Sequence, residues 1–275
     1  MSIRTLSGKA FVAAVVFVPA LLFLMPIVWT LTTSFKTAPE IVRVPPTFLP
    51  ESFRNIANYV TVLDRLDFGV MLFNSSLLVI VVLAFSLFFA SMAGYGFAKF
   101  DFAGKEIAYL LVIGVLMVPF QSLSVPLFRM MVNLNLVDTF AGLALPLLVS
   151  AFGVLLMRTS IASIPNDYVD SARIDGASEF GIFLKIIMPM AKSGLAALAI
   201  IKFTWTWNEF FWPLLVVISP RNMVVTLGLS QLTNMYFIEY HLITAAAMLS
   251  LLPVFMVFVL FRKWMTQALA GGLKG

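Results

Sequence analysis

The chain has no cysteine, a single histidine and little charge: 11% of its 275 residues are Asp, Glu, Lys or Arg, against 61% hydrophobic. The missing cysteines exclude disulfides, thiolate metal sites and a cysteine nucleophile, and say nothing firm about compartment. The lone histidine, His241, cannot form a histidine metal cluster and reads as a polar residue at the edge of an apolar run. No Gly-x-x-x-x-Gly-Lys-[Ser/Thr] phosphate loop occurs, so the chain has no recognisable ATP site of its own. Paired carboxylates and activated nucleophiles are also missing from the apolar runs, which argues against an enzyme and leaves no catalytic or metal residue to name. Scarce charge with a mean hydropathy of +1.01 excludes an ordinary soluble domain, whose surface needs more charge.

What is there is apolar and helical in length. A spanning helix needs about 20 apolar residues, because each residue rises about 1.5 Å through a hydrocarbon core about 30 Å thick. Six runs qualify: Ala10–Phe35, Val70–Ala98, Ile107–Phe128, Phe140–Met157, Ser193–Ile218 and Leu242–Phe261. The expected fold is therefore all-α, a polytopic membrane protein with six transmembrane helices. The first run is longer than a signal-peptide core and shows no small-residue cleavage site, so it reads as a retained span.

The sequence pI of about 9.6 does not point to nucleic acid, since the basic residues sit in short segments between spans, where they set orientation. With the amino terminus inside, the cytoplasmic segments hold eleven Lys and Arg: Arg4, Lys9, Lys99, Lys105, Arg158, Arg173, Lys185, Lys192, Arg262, Lys263 and Lys274. The opposite side holds six: Lys36, Arg43, Arg54, Arg65, Arg129 and Arg221. Both termini are thus expected in the cytoplasm. The external segment from Lys36 to Gly69, with Pro39, Pro45, Pro46 and Pro50, is expected to be an ordered loop with little regular structure at its start.

The polar segment 158–192, between the fourth and fifth spans, is the most informative part of the chain. Pro165 suits the first turn of a helix, where its missing amide is no loss, and Asp167 puts negative charge at the positive helix end. Gly176 can take the left-handed conformation that ends a helix, and Asp175 is placed to cap the amides of Ala177 and Ser178. Phe180, Phe183, Leu184 and Ile187 then repeat at helical spacing until Pro189. The expectation is two short helices joined at a corner, the second amphipathic, with Ser171 and Ala172 small enough to admit another protein's backbone. On spacing alone, an interfacial helix pair lying on the bilayer fits as well.

Asp170-Ser171-Ala172-Arg173-Ile174-Asp175-Gly176-Ala177, preceded by Ile164-Pro165 and followed by Phe180, Phe183, Ile186 and Pro189, resembles the Glu-Ala-Ala motif of bacterial ABC importer permeases. Asp170-Ser171 stands where that motif has Glu-Ala, which keeps the charge and the small size. Trp207-Asn208-Glu209-Phe210 and the terminal Gly271-Gly272-Leu273-Lys274-Gly275 are similar to the carbohydrate-uptake branch of that family, the maltose and glycerol-phosphate type. The resemblance implies a single transmembrane domain over 1–275 in the bacterial inner membrane, with 158–192 as the coupling segment and Asp170, Ser171, Ala172, Arg173, Asp175 and Gly176 as ATPase-coupling residues. It further implies a second permease subunit, two ATP-binding subunits that hold ATP and Mg, an extracytoplasmic solute-binding protein and a carbohydrate moved by alternating access. Related motifs occur in importers for polyamines, phosphate or amino acids, so a non-sugar solute stays open, as does an ATPase-independent channel or secondary transporter on the residues alone.

A solute pathway is sought where ionisable groups enter a span. At about 100° per residue, Lys202, Trp205, Asn208, Glu209 and Trp212 share one helical face, and aromatic rings beside hydrogen-bonding groups suit a sugar. Bonding between helices, with Lys202 reaching toward the interface, is the alternative. Gln121, between Pro119 and Pro126, lies where a kinked helix can line a cavity. Gly94 and Gly96 are expected to permit close helix contact.

Overall fold

The computed structural model describes residues 3–233 and 238–272, and among them every regular element is helical. In chain order these are α1 (Ile3–Ser34), α2 (Ala38–Ile41), α3 (Ala57–Arg65), α4 (Phe68–Lys99), α5 (Lys105–Val115), α6 (Ser124–Asn133), α7 (Phe140–Ala144), α8 (Ala151–Ala162) and α9 (Asn166–Ile174). They continue with α10 (Glu179–Ile182), α11 (Met188–Met190), α12 (Lys192–Trp207), α13 (Phe211–Val216), α14 (Val225–Ser230) and α15 (Tyr240–Gly272). A 3₁₀ turn, Phe120–Leu123, precedes α6, and a π turn, Phe183–Ile187, joins α10 to α11.

Three stretches are each long and apolar enough to cross a membrane: Phe17–Ser34, Phe68–Lys99 and Tyr240–Phe261. Three helix pairs pass the same test only together: Lys105–Val115 with Phe120–Asn133, bent by 93°; Phe140–Leu147 with Ala151–Ala162, bent by 45°; and Glu179–Met190 with Lys192–Trp207, bent by 79°. By length and composition the chain thus has three spans, or up to six where each bent pair is one. The six apolar runs were expected as spans without bends of 45° to 93° at their breaks. A hydropathy window averages over 18 residues and cannot register a backbone bend inside an apolar run.

The chain divides into two compact units, Met1–Gly69 with Gly228–Phe255, and Val70–Leu227 with Met256–Gly275. In the first unit, α1 turns apolar side chains outward, Phe23 being 81% exposed, as a helix facing lipid must. Its polar end is bound to the segment that follows. The Asn58 amide donates to the carbonyls of Ser34 and Lys36, both at 2.8 Å, and Ser34 Oγ meets the Tyr59 hydroxyl at 2.6 Å. The start of this segment is more regular than expected, because Pro39 sits in the first turn of α2 and the Glu40 carboxylate accepts from Thr37 N at 2.6 Å and Thr37 Oγ1 at 2.8 Å. The Thr37 amide, with Glu51 N at 2.7 Å and the Thr37 hydroxyl, holds the Glu40 carboxyl below the usual carboxylate range.

The core of the second unit gathers around the polar segment. Met157 and Ile161 of α8 pack with Val169 and Ala172 of α9 and with Ile182, Phe183 and Ile187, all of them buried. Close approach behind this core depends on Gly94 of α4, where a Cβ would lie 2.8 Å from Arg158 N and from Met157 Cβ, so only glycine fits. At Gly96 a Cβ would meet nothing within 4 Å, so the expected close contact is found at Gly94 alone.

Candidate functional site

The polar segment is a helix, a corner and a second helix, as its sequence suggests. Pro165 precedes α9, and the corner at Asp175–Ser178 follows it. Gly176 has φ +78°; its amide donates to Arg173 O and the Ala177 amide to Ala172 O, both at 3.0 Å. These two bonds form the glycine-ended helix closure in which orphan carbonyls are satisfied by the residues just past the helix. They also explain why Asp175 does not cap the second helix: the Ala177 amide is already committed. Ser178 does so instead, its Oγ accepting from Gly181 N at 3.2 Å.

The second helix runs on through the π turn to Met190, past Pro189. Pro189 has no amide to give to the preceding turn, and the Met188 amide bonds five residues back to Phe183 O. Burial along this helix is displaced from the expected stripe: Ile182, Phe183 and Ile187 face the core, while Phe180 is 54% exposed and Leu184 43%. Phe180 stands in the first turn, before the π turn, and Leu184 lies within the π turn, where bonds five residues apart depart from a uniform 3.6 period.

The coupling candidates separate into two groups. Asp170, Ser171, Asp175 and Gly176 are exposed, and Ile174 at the tip is 87% exposed. Ala172 is buried in the core, so it does not receive another backbone. Arg173 is bound within the chain: Nε to Glu179 Oε1 at 2.7 Å, Nη1 to Asp170 Oδ1 at 3.2 Å, and its guanidinium 5.6 Å from the Phe100 ring centroid. Glu179 in turn accepts from the Tyr95 hydroxyl at 2.8 Å. At the other end of α9, Lys99 Nζ donates to Ile164 O and, at 2.7 Å, to Asn166 Oδ1. Tyr95, Lys99 and Glu179 were not among the candidate site residues read from sequence, since nothing local marks side chains whose partners lie 65 to 84 residues away.

The pathway candidates do not share one helical face. Helix α12 ends at Trp207, and Asn208–Phe210 separates it from α13. Asn208 Nδ2 returns to Thr204 O at 2.8 Å, and Glu209 Oε1 accepts from Trp212 N at 3.0 Å, so the carboxylate closes the first turn of α13. The Glu209 carbonyl accepts from Thr226 Oγ1 at 2.6 Å. Trp212 is fully buried, its indole donating to Gly142 O at 3.1 Å and its ring edge-on to Phe120 at 6.1 Å. Lys202 is buried as well, whereas Trp205 is 51% exposed with its ring 5.2 Å from Phe152. Gln121 is exposed in the 3₁₀ turn at the 93° bend. Exposed aromatic and amide groups therefore gather at two breaks in the backbone, where irregular structure at membrane depth needs a cavity or protein around it.

A second polar cradle, unmarked in the sequence, lies in the loop between α6 and α7. Asp138 Oδ1 accepts from the Ile218 and Ser219 amides, both at 2.9 Å, Oδ2 accepts from Ser219 Oγ at 2.5 Å, and Asn222 Nδ2 donates to Asp138 O at 2.5 Å. The Ser219 hydroxyl and these amides hold the Asp138 carboxyl far below its ordinary value. No group of three or more His, Cys, Asp or Glu able to hold a metal occurs among the described residues. Of the terminal glycine-rich stretch, Leu273, Lys274 and Gly275 lie outside the described residues.

The chain is 36% identical over 259 residues to the arabinooligosaccharides transport system permease protein AraQ of Bacillus subtilis (strain 168), covering 93% of this chain and 92% of that protein. It is 32% identical over 255 residues to the lactose transport system permease protein LacG of Rhizobium radiobacter, again covering 93% and 92%. Its fold matches a chain in the crystal structure of a bacterial ABC transporter involved in the import of the acidic polysaccharide alginate, with a TM-score of 0.83 over 96% of this chain and 98% of that one, at 22% identity. Residues 86–271, which carry the corner and both backbone breaks, match the binding-protein-dependent transport system inner membrane component family. The apolar helices, the polar corner between them and this match together make the chain a multi-pass membrane protein belonging to that family of inner membrane permeases.

Proposed function

We propose that the chain is the membrane-spanning permease subunit of an ATP-driven importer that moves a sugar, an oligosaccharide or related carbohydrate, handed over by an external solute-binding protein. The single observation that carries this reading is the helix-corner-helix at Asp170–Ala177, set in a chain whose relatives are permeases of sugar transport systems. On this reading six spans cross the membrane, the fifth beginning with α12 after the cytoplasmic segment 158–192, and the chain works as one transmembrane domain over residues 1–275. Both termini and segment 158–192 lie in the cytoplasm, supported by the eleven-to-six excess of Lys and Arg on that side.

The exposed tip, Ile174 and Asp175 with Ser171 and Asp170, is the part available to a partner ATPase subunit. ATP and Mg bind to that partner, and this chain performs no hydrolysis. Closure of two ATPase subunits pushes on this corner and on its counterpart in a second permease subunit, opening the pathway outward; resetting releases the solute inward. Trp205, Asn208, Glu209 and Gln121 line the pathway at the two backbone breaks, a stacking ring beside amide and carboxylate groups for hydroxyls. Trp212, buried, holds the break at Asn208–Phe210 in shape.

The test is ATPase stimulation of the reconstituted complex by its binding protein across mono-, di- and oligosaccharides, with phosphate, a polyamine and an amino acid as the non-sugar arms. A short oligosaccharide is expected to stimulate. Stimulation by a non-sugar arm alone would overturn the sugar assignment.

A further inference from the structure

We propose that Arg173, Glu179 and Tyr95 are positioning residues that fix the angle of the docking helix α9 against α4, and so set how much solute moves per ATP. This rests on the reading of segment 158–192 as the coupling segment. The corner has little else to hold it: Ile174 is 87% exposed, Asp175, Gly176 and Ala177 are exposed, and no apolar side chain in the corner is buried. Backbone closure at Gly176 and the Ser178 cap shape the turn without connecting it to the rest of the protein. The connection is made by the side chains. Arg173, near the end of α9, bonds Glu179 Oε1 at 2.7 Å across the corner, and the other oxygen of Glu179 accepts from Tyr95 of α4 at 2.8 Å.

Tyr95 and Lys99 are four residues apart on one face of α4. Lys99 holds the start of α9 through Ile164 O and Asn166, while Tyr95 holds its end through Glu179 and Arg173. Helix α9 is thus strapped at both ends to the last two turns of α4. The Tyr95 ring, edge-on to Phe100 at 5.3 Å and 5.8 Å from Phe183, which is buried, locks the strap to the core. A push on Ile174 is then delivered to a 32-residue helix instead of being lost in the corner. The Arg173 and Glu179 side chains are 38% and 44% exposed, and ion pairs of that exposure add little to stability, so their value is geometric and their removal leaves folding intact.

The absence of cysteine from this chain allows spin labels at Ile174→Cys and Phe89→Cys in a full complex assembled with cysteine-free partner subunits, the ratio of solute to ATP being measured on unlabelled complex. The expected result for E179Q and for R173Q is a broadened distance distribution and a roughly three- to tenfold fall in solute moved per ATP, the range of one ordinary net hydrogen bond lost at an exposed site. R173Q/E179Q is expected to be no worse than either single variant, since the pair acts as a unit. Y95F, which removes only the hydroxyl, is expected to give a smaller fall of the same kind. A wild-type ratio of solute to ATP in E179Q, or additive losses in the double variant, would overturn the positioning role. Failure of the wild-type chain to retain any ATPase subunit on purification would instead overturn the coupling reading beneath it.

Discussion

At the scale of single residues, the two that matter most at the corner do opposite things. Gly176 supplies a backbone conformation that other residues adopt at a cost, while nothing lies within 4 Å of where its Cβ would be. Gly176→Ala is therefore expected to cost about 1 kcal/mol through backbone strain alone, a fall of about 2–4 °C in Tm for a chain of this size. Thermal unfolding of the purified chain in detergent checks it, and an unchanged Tm would mean that the corner is not left-handed. Arg173 looks from sequence like the basic member of a docking motif, yet its guanidinium is spent on Asp170, Glu179 and the Phe100 ring. Ala172, small enough to admit a neighbour, is used for the chain's own packing.

At the scale of elements, what could be read in advance depended on whether the signal was local. Helices α4 and the membrane part of α15 follow from unbroken apolar runs, and the corner follows from Pro165 and Gly176, whose backbone preferences act within one or two residues. The breaks at 116–119, 148–150 and 208–210 did not follow, because apolar residues surround them and hydropathy is indifferent to backbone direction. Pro119 did signal a kink in the third run, though not that the bend reaches 93°. Glu209 was legible as a polar group in a span but not as the closing group of α13, which depends on where α12 ends.

The Asp138 cradle belongs to this scale too, since one carboxylate holds the α6–α7 loop against Ile218, Ser219 and Asn222. Its pKa is depressed in the folded chain, so it contributes stability in full above the unfolded value of about 4, and that contribution is lost as pH falls below it. Tm measured between pH 7 and pH 3 is expected to fall more steeply in the wild type than in Asp138→Asn, which cannot titrate. Parallel profiles would remove the assignment.

At the scale of the whole molecule, the chain consists of long apolar helices, three bent pairs, exposed polar and aromatic groups beside Gln121 and the break at 208–210, and one polar corner strapped to the end of α4. The composition announced the membrane, and the resemblance of the corner's residues to a known motif announced the family. The proposed pathway was the least legible part, because its candidate residues stand at two backbone breaks and not on one helical face. The central claim is that ATP hydrolysis by a partner reaches the sugar pathway through the Asp175 tip. It is tested most directly by measuring oligosaccharide uptake and ATP hydrolysis in the same proteoliposomes, holding the full complex with its binding protein, for the wild type and Asp175→Arg. The account predicts ATP-dependent uptake by the wild type and, in the variant, uptake reduced at least about tenfold, the loss expected when a charge is reversed at a docking contact, with the spans still inserted. Uptake that needs no ATP, or that proceeds at the wild-type rate in Asp175→Arg, would contradict it.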